Sequence, residues 1–61
     1  MFEIDFWKVG YGWTILGTVS GCEAAYAAFE KACELAEILG KDCALIDCET
    51  GEVLALMEIE S

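Results

Sequence analysis

From Cys22 to Leu39 the chain runs without a glycine or a proline, rich in Ala, Glu and Leu, and this stretch sets the plan of everything around it. Ser20-Gly21-Cys22-Glu23 reads as a capping box. The Ser20 hydroxyl would accept from an orphan amide of the first turn, and the Glu23 carboxylate would reach back to the Ser20 amide. Gly40 stands where a left-handed residue closes a helix. The spacing therefore predicts a helix over about 21–39, with a flank on either side to be accounted for.

Each flank reads as two strands. Residues 2–9 alternate with period two, sending Phe2, Ile4 and Phe6 one way and Glu3, Asp5 and Trp7 the other. Gly10-Tyr11-Gly12 supplies a turn. Residues 13–19 follow as a second strand, with Trp13, Ile15 and Val19 expected on one face. After the helix, residues 42–48 and 53–59 form another pair around Glu49-Thr50-Gly51-Glu52, where Gly51 can take the positive φ of a type I turn with a G1 bulge. The expected fold is α+β, a single ββαββ domain over 1–61 with one helix packed on a four-stranded sheet. Strand order is not decided by these patterns.

The faces can be assigned in advance. On the helix, Cys22, Ala25, Tyr26, Phe29, Ala32, Cys33, Ala36 and Leu39 recur at steps of three and four and should pack on the sheet. On the second hairpin, Cys43, Leu45, Val53, Ala55, Met57 and Ile59 should face the helix, leaving Ala44, Ile46, Cys48, Leu54 and Leu56 on the far side. One helix cannot cover both sheet faces. The far face is expected to carry an apolar patch, Trp7, Leu16, Ile46, Leu54 and Leu56, rimmed by Glu3, Asp5 and Glu58, and such patches mark interfaces. Trp7 is the first choice among them, because aromatic anchors are enriched at binding hot spots. Trp7, Tyr11 and Trp13 also have a plainer reading as cross-strand packing.

Composition sharpens this. In 61 residues, 57% hydrophobic content exceeds the roughly 45–50% of globular domains, and a domain this small has much surface for its volume. A homodimer through the outer sheet face or an exposed strand edge is the expectation. Net charge is −9, from twelve acids and three lysines, with no Arg or His. Three scattered lysines cannot form the cluster that releases phosphate counterions, so direct nucleic-acid binding is not expected, and an anionic membrane surface is disfavoured for the same reason. The N-terminal residues Met1-Phe2-Glu3-Ile4-Asp5 lack a basic region and an apolar run, so the expected location is cytoplasmic.

Few residues suggest chemistry. Cys22 and Cys33 lie roughly 16 Å apart along a helix, Cys43 and Cys48 fall on opposite faces of a strand, and no C-x-x-C pair or histidine accompanies them. Buried free thiols are expected, with a tertiary pairing such as Cys22 with a strand cysteine as the alternative, and no metal and no cofactor. Paired carboxylates near Asp47, Glu49 and Glu52 sit at a hairpin end open to water, where they support the turn rather than acid–base catalysis. No enzymatic activity is expected. Glu23, Glu30, Glu34 and Glu37 are the most specific polar feature. They span about 21 Å of one helix side, with Lys31 the lone cation on the helix. The bland reading is a solvated face. The sharper one is a line of fixed charge that imitates a phosphate backbone and occupies the cleft of a basic protein.

The segment from Trp13 through the Ala-rich helix to Gly40-Lys41, then Leu45, Asp47 and Thr50-Gly51-Glu52, resembles short acidic proteins of phages and other bacterial mobile elements. The resemblance implies no catalytic residues. It implies a protein that binds and disables a host defence or nucleic-acid-handling protein. A weaker likeness is to antitoxins with a degenerate RNase H-like strand–strand–helix start, from which the closing hairpin and the lack of a DNA-binding tail depart. The expected function is thus a non-enzymatic protein-binding module, with a structural homodimer or an antitoxin-like partner-binding protein as the alternative.

Overall fold

A computed structural model of the chain describes residues 1–8, 10 and 12–59, with Lys8 in its backbone only. Its elements are β1 (Phe2–Lys8), β2 (Gly12–Val19), α1 (Cys22–Leu39), β3 (Asp42–Asp47) and β4 (Val53–Met57), the expected ββαββ order. All neighbouring strands pair antiparallel in one sheet of order β2-β1-β3-β4, and α1 packs chiefly on the central strands β3 and β1. Val9, expected to end the first strand, and Tyr11, expected in the turn after it, lie outside the described residues.

The helix ends are settled by two glycines. Gly40 is left-handed at φ 69, and the amides of Gly40 and Lys41 donate to the carbonyls of Glu37 and Ala36 at 3.3 and 2.9 Å, a Schellman closure. The start differs from the expected capping box. Gly21, at φ 92, takes the N-cap position, its carbonyl accepts from Ala25 N at 3.0 Å, and no side chain caps the helix. Ser20 therefore stands one residue too early to reach the first-turn amides.

The core lies between α1 and one sheet face. Ile4, Phe6, Ala25, Phe29, Ala36, Cys43 and Leu45 are buried there, with Val19, Ala55 and Met57 packed at its margin. Small residues line the helix side, so the buried stripe is narrow. Cys22, Tyr26 and Leu39, expected in this core, are exposed. The exposed three lie at the margins of the buried stripe Ala25, Phe29 and Ala36 or at the helix ends, where the sheet does not cover them.

Two bulges reset the side-chain alternation. In β2 the pairing passes from Ile4↔Gly17 to Asp5↔Ile15, leaving Leu16 as the extra residue. Trp13 and Ile15 therefore share the outer face with Trp7 and Asp5, while Val19 lies on the helix side beside Phe2. In β4 the pairing passes from Leu45↔Ala55 to Ile46↔Val53, leaving Leu54 as the extra residue. Leu54 packs against the core, contrary to the expected patch, and Val53 takes its place on the outer face. A slip of one residue exchanges the two faces of everything beyond it.

The second hairpin turns at the expected glycine, but its closing bond spans four residues rather than the three of the expected type I turn. Gly51 sits at φ 74, Gly51 N donates to Asp47 O at 2.7 Å, and Asp47 N donates to Glu52 O at 2.9 Å. Beyond Met57 the ladder gives way to a side chain: Ile59 N donates to Asp42 Oδ1 at 2.9 Å, so β4 stops two residues short of the expected end.

Candidate interaction surfaces

Among the described residues no element covers the sheet face away from α1, and cross-strand pairing arranges it in rows. Trp13, Trp7 and Asp42 form one row, Ile15, Asp5, Ala44 and Leu56 the next, and Thr18, Glu3, Ile46 and Val53 the third. Trp13, Ile15, Val53 and Leu56 are each about half exposed or more. Trp7 and Trp13, directly opposite each other, hold their ring centroids 6.3 Å apart at an interplanar angle of 53°, within the tilted geometries that aromatic pairs prefer.

Asp5 occupies the centre of this face, not its rim. The sequence pattern could not show this, because it depends on β1 being an inner strand. Its side chain is only 6% exposed, and its Oδ1 has no hydrogen-bond partner. Burial, reinforced by the negative charge of Glu3, raises the Asp5 carboxyl above its ordinary range. Of the expected patch, Trp7, Ile46 and Leu56 do share the open face, Leu16 stands half exposed at the bulge of β2, and Leu54 belongs to the core margin.

The second surface is the outer flank of α1. Glu23, Glu30, Glu34 and Glu37 are all exposed along it, and the last helical turn carries no basic residue. Lys41, just beyond the helix, lies over the Phe6 ring at 5.7 Å. Glu37 near the C-terminal end opposes the helix dipole, which favours cations there. Leu35 and Ile38 are exposed on the helix as well, so the outward side is not purely polar.

The remaining candidates offer little chemistry. All four cysteines are free. The fold brings Cys33 of α1 against Cys43 of β3, thiol to thiol, across the core, and burial pushes the Cys43 thiol up to about 12. A thiol held so high is a poor nucleophile. Cys48 lies past the end of β3 in the turn, and its amide donates to Met1 O at 3.1 Å. Asp47 does support the hairpin, its Oδ1 accepting from Glu49 N at 2.9 Å, while Thr50 Oγ1 accepts from Glu52 N at 3.2 Å. Among the described residues no group of three or more His, Cys, Asp or Glu is placed to hold a metal ion, and no helix is long and apolar enough to cross a membrane.

Compared with protein-family models, curated proteins and solved structures, the chain matches none of them.

Proposed function

We propose that this chain is a non-enzymatic protein-binding module whose principal docking surface is the open sheet face. The observation that carries the reading is the uncovered row Ile15, Asp5, Ala44, Leu56, in which apolar side chains about half exposed flank a buried carboxylate whose Oδ1 has no hydrogen-bond partner. Apolar area left in water costs roughly 25 cal/mol per Å², and an unsatisfied buried polar group about 1–3 kcal/mol. A protein partner that covers the row and donates to Asp5 relieves both. The tagged chain, incubated with extract of its native cell, should retain a partner that Leu56→Glu and Val53→Glu lose while circular dichroism shows both variants folded. A partner retained equally by both variants contradicts this docking surface.

A second reading adds the acidic flank, favoured by the absence of any base in the last turn of a helix that carries Glu37 there and Glu34 one turn before it. In it, Glu23, Glu30, Glu34 and Glu37 dock on the basic surface of a host nucleic-acid-handling or defence protein and block it, as small acidic proteins of phages and mobile elements do. Ionic docking weakens with salt. Glu30→Lys combined with Glu34→Lys should abolish inhibition with the fold intact, and inhibition that survives leaves the flank a solvated surface.

A further inference from the structure

We infer that two copies of this chain join through β2, strand against strand, into one continuous eight-stranded antiparallel sheet. This goes beyond the open-face reading, because here the edge of the sheet holds the two copies together. The strand order leaves β2 and β4 at the edges, and α1 packs chiefly on the strands between them. An edge presents a row of unpaired backbone amides and carbonyls, which natural proteins protect with lysine, proline, buried charge, shortness or a bulge.

β2 has almost none of these protections. It is eight residues long, Gly12–Val19, and contains no proline and no charged residue; only the bulge at Leu16 interrupts it. The uncharged stretch extends further, covering every position between Lys8 and Glu23. β4 is shorter, five residues, and is closed by Glu52 and Glu58. Trp13, Ile15 and Leu16 add exposed apolar side chains to the β2 edge.

Charge decides the occupant. At a net −9, two copies repel wherever acids face each other, and the repulsion is least along β2, the edge strand that carries no charge of its own and has none between Lys8 and Glu23, its cross-strand acids Glu3 and Asp5 lying one strand further in. A basic partner finds nothing on β2 to pair with. A second copy finds an identical neutral strip whose backbone groups complete its own. Salt therefore acts with opposite signs on the two associations: it screens the repulsion between copies and tightens the pair, whereas it weakens docking through the acidic flank.

Light scattering on the full chain, over rising protein and sodium chloride concentrations, tests this. The mass should move from one to two chain masses, with the midpoint falling at least several-fold in protein concentration as salt is added. Ile15→Glu should remain a single chain throughout, and mixing it with Ile15→Lys should restore the double mass. Leu56→Glu should dimerise like the parent, so a failed open face and a failed edge give different results. A parent chain that stays single at every condition overturns the inference, as does a dimer that Ile15→Glu leaves intact. If the Ile15 variants unfold, amide exchange of the unaltered chain decides. Slowing of β2 amides by tenfold or more with rising concentration, and unchanged β4 amides, supports the pairing; a dimer with unchanged β2 amides refutes it.

Discussion

Asp5 and Ala44 stand opposite each other on the two central strands, and both are buried, at 6% and 1% exposure, on the face that no helix covers. Their edge-strand neighbours, Ile15 on one side and Leu56 on the other, flank them in the same row. The open face is thus buried at its centre and exposed along both sides, with a carboxylate set into apolar surroundings.

That carboxylate makes stability depend on pH. Burial raises the folded-state pKa of Asp5 above that of the unfolded chain. The stability linked to its protonated form is fully present below the unfolded value, and it is lost as pH rises through the folded value. Asp5→Asn removes the charge, and should raise the melting temperature near neutral pH by roughly 4–8 °C for a gain of about 1 kcal/mol. The gap should close as pH falls below about 4. Thermal melts of both proteins across this range check the sign, and a variant less stable at neutral pH contradicts it.

The β4 bulge separates two leucines that plain alternation places together. Leu54 packs against the core and Leu56 is about half exposed. Leu54→Ala should cost about 1–3 kcal/mol, somewhat under the fully buried range because Leu54 is only partly covered. Leu56→Ala should stay within about 0.5 kcal/mol. Urea melts of the two variants measure the difference, and equal losses would mean that no bulge separates them.

Element order, the helix C-terminus and the turn glycine of the second hairpin were legible in the sequence, because each rests on local signals: the breaker-free run to Leu39, the left-handed Gly40, the positive φ of Gly51. The face assignments were legible only as far as the first irregularity. Nothing local announces that Leu16 and Leu54 are extra residues, yet each one moves its neighbours across the sheet. Asp5 reads as a rim acid until β1 is known to lie between β2 and β3. Its burial follows from strand order, which hydrophobic periodicity does not encode. Ser20 failed as a cap for a related reason, since a glycine with positive φ can take that position itself.

The thiols should react in order of burial. Cys22 and Cys48 are exposed, Cys33 is half-buried with its thiol raised, and Cys43 is fully buried with its thiol pushed up to about 12. Alkylation of the native chain, followed by mass spectrometry, should show two fast additions, a slower third at Cys33, and a fourth limited by unfolding. Four equal rates would contradict the packing of Cys33 on Cys43.

Glu37 sets stability against binding. No basic residue stands in the last turn of α1 to complement its dipole, so Glu37→Lys should stabilise the fold by roughly 0.3–1 kcal/mol. If the acidic flank docks on a basic partner, the same change lowers that affinity and reduces its salt dependence. Denaturant melts paired with binding at two salt concentrations read both effects. A variant that is more stable and binds equally well removes Glu37 from the docking surface.

Both tryptophans of the chain, Trp7 and Trp13, lie on the open sheet face. Quenching of their fluorescence by acrylamide therefore reports directly on whether that face is covered. Free chain at low concentration should be readily quenched, and the complex with its captured partner should show a blue-shifted emission and at least several-fold protection. A complex formed with no change in quenching would contradict docking on the open face.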